Sequence, residues 1–189
     1  MYNTEIKNTN FTQEQFLKEE YEECRFINCD FSNLDLSHYV FVDCVFTDCN
    51  LSNITVKSTS FRDVQFHNCK LLGIQFSDCK EFLLEINFFN CQLDFSSFYK
   101  LKLKLKLKSI KFDDCNLLEV DFVESDLSQV SFKNSNLERA IFDKSILVKA
   151  DFSSSRNYII NPDTNNIKKA KFSWPGLVGL LNKYDIIIK

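Results

Sequence analysis

Bulky apolar residues recur at every fifth position along most of the chain. From Phe11 to Phe76, fourteen positions spaced by five all hold a bulky apolar side chain. The series then shifts by two additional residues and resumes at Leu83. A later unit, from Leu103 to Leu107, is one residue short, and the series continues from Leu107 to Phe152. Sixteen of the 20 Phe residues occupy this central position, so the period is a property of the whole chain.

A second inward position lies two residues before the central one. It holds seven of the eight Cys, and Cys79 falls there too if the first series is extended to residue 81. Elsewhere the position holds mainly small or β-branched residues such as Thr59, Val64 and Ser135. The other three positions of each unit are mostly Asp, Asn, Ser, Lys, Glu and Gln. Each unit therefore predicts two side chains that point inward and three that face solvent.

A period of five fits neither a straight helix nor a straight strand. A helix advances about 100° per residue, so apolar residues spaced by five would spread around its surface. A strand alternates faces at every residue, so an odd period would place successive apolar residues on opposite faces. A square coil of four units solves the problem, because every central residue and its partner two positions earlier then face the interior. The pattern predicts an all-β solenoid, a right-handed quadrilateral β-helix of about seven coils.

Stacking of the coils predicts which side chains lie above one another. One expected column contains Phe26, Phe46, Phe66 and Phe88 and continues to Leu107. A second expected column contains Cys29, Cys49, Cys69 and Cys91. A thiolate metal ladder or a redox stack is one interpretation of that column. We favour wall packing, because Cys behaves as a small buried apolar residue and no C-x-x-C pair is present.

Composition excludes several classes of function. With 3 Gly and 2 His, the chain lacks a glycine-rich phosphate loop and a His-rich zinc site. Outward carboxylates on a filled coil have no pocket that would shift their pKa for catalysis, so we expect a protein without enzymatic activity, cofactor or metal. No apolar run approaches the roughly 18 residues of a membrane span, and we expect no signal peptide. Free thiols then indicate the cytoplasm.

The period ends near residue 155, which predicts two parts, a solenoid at 1–155 and a cap at 156–189. We expect Ser173 to begin a short helix that extends to about Lys183, followed by a strand from Asp185 to Ile188. The cap is rich in apolar residues, which predicts dimerisation through Trp174, Leu177, Leu180, Leu181 and Ile187.

Charge is unevenly spread along the chain. Residues 1–99 carry 15 acids and 7 bases, whereas residues 100–111 carry six Lys and no acid. The stripe from Lys100 to Lys108 could bind an anion, although we favour a solvated face with charges that guard against edge pairing. The acidic faces would repel nucleic acid but could bind a protein surface that normally holds it. Candidate residues for such a face are Asp30, Asp43, Asp48 and Asp63.

Several units resemble the A(D/N)LXX consensus of the pentapeptide-repeat family. Examples are Cys-Asp-Phe-Ser-Asn around Phe31, Cys-Asn-Leu-Leu-Glu around Leu117, Ser-Asn-Leu-Glu-Arg around Leu137 and Ala-Asp-Phe-Ser-Ser around Phe152. The Phe-rich centres, the Cys before them and the C-terminal cap resemble the quinolone-resistance (Qnr-type) branch. That resemblance implies a DNA-mimicking rod, a homodimer joined at its C-terminal end, and a partner such as DNA gyrase or topoisomerase IV. The alternative is a generic structural or protein-interaction module.

Overall fold

The backbone pairs with itself at intervals of about 20 residues, as a four-sided coil requires. A computed structural model describes most of the chain, namely residues 1–13, 16, 19–102 and 110–187. In those ranges every strand pair and isolated bridge is parallel, and Arg25, Val45 and Gln65 follow one another in register. The predicted fold class is confirmed, since the structure is a parallel β-solenoid.

The strands are short because the chain turns after each unit. In chain order, those in the described ranges are β1 (Glu5–Lys7), β2 (Glu20–Glu22), β3 (Arg25–Ile27), β4 (Val40–Val42), β5 (Val45–Thr47), β6 (Ser60–Arg62), β7 (Val64–His67), β8 (Ile86–Phe89), β9 (Phe112–Asp113), β10 (Asp151–Phe152) and β11 (Lys171–Phe172). The order β1-β3-β5-β7-β8-β9 forms a six-stranded sheet, β2-β4-β6 a three-stranded sheet and β10-β11 a pair. Isolated bridges connect the coils elsewhere.

A residue with positive φ stands at the corner of almost every unit, two positions after the central residue. Asn28, Asp48 and Asn68 have φ of 52°, 56° and 55°. Asn and Asp adopt this left-handed conformation more readily than most residues because their short side chains hydrogen-bond locally. The solenoid therefore turns repeatedly with only three glycines in the chain.

Aromatic rings stack in a column behind the six-stranded sheet. Ring centroids of Phe26 and Phe46 are 4.7 Å apart, those of Phe46 and Phe66 are 5.0 Å apart, and those of Phe66 and Phe88 are 5.4 Å apart. All four side chains are fully buried. The structure thus places the four predicted residues in one column, where each ring contacts the ring of the next coil.

The prediction that Leu107 continues this column is wrong. Phe88 pairs with Phe112, and their ring centroids are 5.1 Å apart. The coil between them advances 24 residues instead of 20, so it contains four additional residues that the five-residue count had assigned to a further unit. Residues 103–109, including Leu103, Leu105 and Leu107, lie outside the described residues.

The two-residue shift after Phe76 is a bulge near Glu81, as the sequence predicted. The bulge closes through a hydrogen bond of 3.2 Å from the Leu84 N–H to the Glu81 carbonyl. Leu84 is buried, whereas Leu83 is 57% exposed and Phe82 is 75% exposed. The assignment of Leu83 as a central residue is therefore wrong, because the additional residues delay the inward side chain by one position.

The solenoid makes about eight turns rather than the expected seven or slightly more. Ile6 opens the Phe column by pairing with Phe26, and Phe172 closes it by pairing with Phe152 at a ring distance of 5.4 Å. The predicted division at residue 155 lies between Phe152 and Phe172, two members of this column. The partition of the chain into two parts stays a prediction.

The C-terminal segment packs on the last coil as a short helical element. It consists of a 3-10 turn at Pro175–Leu177, the helix α1 (Val178–Leu181) and a 3-10 turn at Asn182–Tyr184. The Ser173 hydroxyl accepts a hydrogen bond of 3.2 Å from the Gly176 N–H, which caps the start of the element. Residues 185–187 form no strand, so the predicted terminal strand is wrong over its described part, and Ile188 lies outside the described residues. In the ranges that the structure describes, no helix is long and apolar enough to span a membrane.

Phe46→Ala tests the register of the column. Removing a ring that contacts Phe26 and Phe66 leaves a cavity in two coil interfaces, and we expect a loss of about 3–5 kcal/mol in the free energy of unfolding. Asp48→Asn is the matched control, since it changes an exposed corner of the same coil and should alter stability by less than about 0.5 kcal/mol. Urea unfolding followed by circular dichroism measures both, and equal losses would contradict the register.

Candidate binding surfaces

Two of the predicted acidic residues stack at one corner of the solenoid. Asp43 and Asp63 occupy equivalent corner positions in consecutive coils, and the Asp43 N–H donates to the carbonyl of Arg62. Glu23 holds the same position one coil earlier, where its N–H donates to the Val42 carbonyl. Three carboxylates therefore follow this corner at the spacing between parallel strands, about 4.8 Å.

Asp30 and Asp48 lie across the six-stranded sheet, beside the next corner. Asp48 is an exposed corner residue that accepts a hydrogen bond of 3.0 Å from the Asn68 amide. Asp30 is on the following side of the coil, and its carboxylate accepts a hydrogen bond of 2.9 Å from the Ser32 N–H. Both line a shallow cavity with several Asn side chains. The four predicted residues are thus divided between the two edges of one sheet face.

Three of the four predicted acidic residues have no cationic partner among the residues that the structure describes. In the described ranges, no cationic group lies within 4 Å of Asp30, Asp43 or Asp48. In the C-terminal half, by contrast, Glu119 pairs with Arg139 at 3.0 Å, Asp151 with Lys171 at 3.1 Å, and Asp163 with Lys183. Within the described part of the chain, Asp30, Asp43 and Asp48 therefore lack the ion pairs that neutralise these three acids.

An amide ladder follows the corner that contains Asp48, and the sequence interpretation missed it. Side-chain amides donate to the neighbouring coil in the pairs Asn28 to Asn8 (2.8 Å), Asn68 to Asp48 (3.0 Å), Asn90 to Asn68 (2.9 Å) and Asn134 to Asp114 (3.0 Å). The signal was available as Asn or Asp recurring at every fourth unit. The ladder fixes the corner side chains, including Asp48, in a regular row along the rod.

The described part of the basic stripe is paired with carboxylates. Lys100 lies 3.5 Å from Glu124 and Lys102 lies 3.8 Å from Glu81, and all four side chains are largely exposed. Exposed pairs of this kind contribute little to stability, but they reduce the local positive charge. The remaining lysines of the stripe, up to Lys108, lie outside the described residues.

The predicted column of Cys29, Cys49, Cys69 and Cys91 is continued by Cys115. The residues directly after these cysteines form bridges in the same order, from Asp30 to Asn50 and onward to Asn116. All eight cysteines are free and buried. Sequence reasoning left Cys115 out because the four additional residues near 103–109 shifted the assumed register.

The side chain at this inward position donates a hydrogen bond to the coil before it. The Cys49 thiol lies 3.4 Å from the Phe26 carbonyl, the Thr59 hydroxyl 2.7 Å from that of Leu36, and the Ser135 hydroxyl 2.6 Å from that of Phe112. A buried carbonyl without a donor costs free energy comparable to a lost hydrogen bond. The need for a small donor thus adds a reason, besides volume, why Cys, Ser and Thr recur here.

The thiols of Cys44, Cys69 and Cys79 stay protonated at neutral pH. Burial raises the pKa of Cys44 to about 12, and it also raises the pKa of Cys79. The neighbouring thiols of Cys49 and Cys91, together with burial, hold the pKa of Cys69 well above its usual range. In the part of the chain that the structure describes, no group of three or more His, Cys, Asp or Glu side chains is arranged to hold a metal ion.

The C-terminal end presents an apolar surface that differs from the predicted one. Trp174 and Ile187 are 86% and 88% exposed, whereas Leu177, Leu180 and Leu181 are half-buried. Leu180 packs against the core and so helps to close the solenoid. Further exposed apolar residues of this end are Ile159, Val178 and Ile186.

Tyr158 connects this end to the solenoid. Its ring is buried and contacts Phe172, and the Gly179 carbonyl accepts a hydrogen bond of 3.0 Å from the N–H of Ile160. A Cβ atom at Gly176 or Gly179 would overlap Tyr158, so both glycines are required for the close approach of the helical element. The exposed Trp174 and Val178 are therefore held on a firmly docked element.

Comparison with known proteins identifies the repeat. A family model described as "Pentapeptide repeat region" matches residues 19–98, and one described as "Pentapeptide repeats (8 copies)" matches residues 106–139 and 121–156. A search of curated proteins gave no match.

Among solved structures, two trypsin-treated variants of QnrB1, a plasmid-mediated fluoroquinolone resistance protein, are similar over 100% of this chain and 99% of theirs. Their identity to this chain is 19%, with TM-scores of 0.51 and 0.50. A further match is HetL from the cyanobacterium Nostoc sp. strain PCC 7120, a pentapeptide repeat protein involved in heterocyst differentiation regulation. The match covers 90% of this chain and 86% of the HetL chain, with 14% identity and a TM-score of 0.40. At these identities the likeness concerns the fold alone.

Alkaline unfolding tests the environment of the thiols. The pKa of Cys44 is raised to about 12 in the folded protein, so the unfolded chain loses this proton first as pH rises above about 8.5. The stabilisation is complete below that pH and is lost progressively up to pH 12. Between pH 7 and 10.5 we expect the free energy of unfolding in urea to fall by about 2–3 kcal/mol more for the wild type than for Cys44→Ser. An identical pH dependence in the two proteins would contradict the raised pKa.

Proposed function

The chain belongs to the pentapeptide-repeat family, and we propose that it is a non-enzymatic binding protein that mimics DNA toward a type II topoisomerase. The partner in this proposal is DNA gyrase or topoisomerase IV, and its occupation protects the enzyme from quinolones. The fold shared with QnrB1 supports the proposal, as do the carboxylates of Asp30, Asp43 and Asp48, which have no ion pair in the described ranges. The free buried thiols fit a reducing compartment, so the cytoplasm is the proposed location.

The carrying observation is the arrangement of carboxylates along both edges of the six-stranded sheet. Glu23, Asp43 and Asp63 follow one edge, and Asp48 follows the other, at intervals that are multiples of the coil spacing. A duplex presents a phosphate about every 3.4 Å along each strand, so one row of acids on a rigid rod, with Asp48 on the opposite edge, reproduces part of its charge. A groove lined by Lys and Arg would attract such a rod and steer its approach.

The two halves of the rod have different roles in this proposal. Glu119 and Asp151 of the C-terminal half are neutralised by neighbouring bases, and the end of the rod exposes Trp174 and Ile187. We propose that two copies join through this apolar end. The acidic coils then lie at the two far ends of the homodimer, where both are free to bind the partner.

A generic protein-interaction module is the second candidate function. Leu83 and Phe95 stand at corners with φ of 59° and 63° and are more than half exposed. Every other non-glycine residue with positive φ in the described ranges is polar. A bulky apolar residue in this conformation adds local strain and exposes apolar surface to water. These two corners therefore favour a partner that contacts apolar side chains rather than charges.

The topoisomerase proposal is tested by gyrase supercoiling assays with and without ciprofloxacin. We expect micromolar protein to change supercoiling or to restore it in the presence of the drug. Absence of both effects would contradict the proposal and leave the generic interaction module.

The charge contribution is tested by the double variant Asp43→Asn with Asp48→Asn. Asn occupies equivalent corners at Asn28 and Asn68, so the variant should fold normally, and we expect binding to gyrase to weaken by about tenfold with a smaller salt dependence. Glu119→Gln is the matched control because Arg139 already neutralises that carboxylate. Equal weakening by both variants would argue against recognition by the acidic edges.

The dimer is tested by light scattering on the double variant Trp174→Ser with Val178→Ser. Both side chains are exposed, so their loss should leave the solenoid folded and convert the dimer to a monomer. Tyr99→Ser, which removes a partly exposed aromatic side chain far from this end in the chain, is the control and should remain dimeric. A wild-type protein that is monomeric at micromolar concentration would refute the dimer.

A further inference from the structure

The thiols of Cys29, Cys49, Cys69, Cys91 and Cys115 form a straight row inside the solenoid. Each of the three central sulfurs lies near two equivalent carbonyls: Cys49 at 3.4 Å and 3.3 Å, Cys69 at 3.5 Å and 3.3 Å, and Cys91 at 3.3 Å and 3.4 Å. Equivalent contacts in consecutive coils require the same side-chain orientation at each level. The sulfurs are therefore separated by the rise between parallel strands, about 4.7–4.9 Å.

This separation matches the length of a linear sulfur–metal–sulfur unit. A metal–thiolate bond of about 2.3 Å, the value for zinc, gives about 4.6 Å between the two sulfurs when the metal lies on the line joining them. Thiolate ligands select soft ions. The row therefore offers a two-coordinate site between each pair of consecutive coils without a change of backbone register.

We propose that adjacent cysteines of this row bind soft, thiophilic ions such as Hg(II) in linear two-coordinate sites, each formed by two consecutive coils. Each bound Hg(II) replaces one proton on each of two thiols, and both protons go to solvent. The product is a neutral dithiolate, which a buried position accepts at far lower cost than a charged one. The site is independent of the proposed topoisomerase function.

The same geometry excludes ions that need more ligands. Zinc takes four ligands in structural sites, and in the described ranges no group of three or more suitable side chains is arranged around one point. Cys69 and Cys91 also line a surface cavity of about 310 Å³ with Asn68 and Asn90, which provides a path of entry to the middle of the row. Hg(II) should therefore bind and Zn(II) should not.

The number of sites follows from pairing. Five cysteines in a row form at most two pairs at the same time. Cys24 and Cys44 hold equivalent positions in consecutive coils of the neighbouring column and form a third pair, since the N–H of Val45 donates to the Cys24 carbonyl. The N–H of Lys80 donates to the Thr59 carbonyl, which places Thr59 next to Cys79 in the coil before it. Because Thr59 is not a cysteine, Cys79 has no thiol partner in that coil. The wild type should bind three ions and leave two thiols unoccupied.

Serine variants separate this arrangement from simple thiol counting. Cys49→Ser isolates Cys29 and should reduce the number of sites from three to two. Cys69→Ser leaves Cys29 with Cys49 and Cys91 with Cys115, so three sites should remain, as they should in Cys79→Ser. Ser135 makes the same hydrogen bond at an equivalent position, so the Ser variants of the row should fold.

Native mass spectrometry of the folded protein after addition of Hg(II) measures the outcome, and circular dichroism confirms that the solenoid is retained. Each site should add one mercury and remove two protons, and X-ray absorption should show two sulfur ligands at about 2.3 Å. The proposal is overturned if Cys49→Ser and Cys69→Ser bind the same number of ions. It is also overturned if each mercury displaces a single proton, if Hg(II) unfolds the wild type, or if Zn(II) binds with the same stoichiometry.

Discussion

The stacking of each coil on the one before it is the interaction on which the whole structure depends. A single coil has few internal contacts, and its rings and backbone groups are satisfied only by the neighbouring coils. Phe46 contacts Phe26 on one side and Phe66 on the other, and the flanking N–H and carbonyl groups pair in the same two directions. Stability is therefore a sum over neighbouring levels, and both ends of the stack need a closing element.

The same stacking arranges the surface in rows. A corner residue such as Asp43 is carried directly above Glu23 and below Asp63, although 20 residues separate each pair in the chain. The amide ladder, the acidic edge and the thiol row all arise because equivalent positions of consecutive coils lie above one another. Function in such a molecule depends on which rows are left uncompensated. In the described ranges these include Asp30, Asp43 and Asp48 and the apolar side chains at the C-terminal end.

Sequence reasoning succeeded where the period was unbroken and failed where it was interrupted. The column from Phe26 to Phe88 was assigned correctly because only a two-residue bulge interrupts it. Leu83 was misplaced within that bulge, and Leu107 was placed after Phe88 because Leu and Lys alternate through that stretch and fit more than one count. A local pattern cannot decide which of several Leu residues faces the interior, since that choice is made by the coil on which the segment packs.

The sequence alone determined the solenoid and the two inward positions, because both depend on a repeat that is readable within five residues. It also determined the division of charge along the chain, which is a matter of composition. Only the tertiary structure decided that Phe112 follows Phe88, that Cys115 joins the thiol row, that Asp30 and Asp48 lie apart from Asp43 and Asp63, and that Trp174 rather than Leu180 is exposed. These are relations between coils, and they depend on the exact number of residues in each turn. An additional residue in one coil changes which later residue reaches each column.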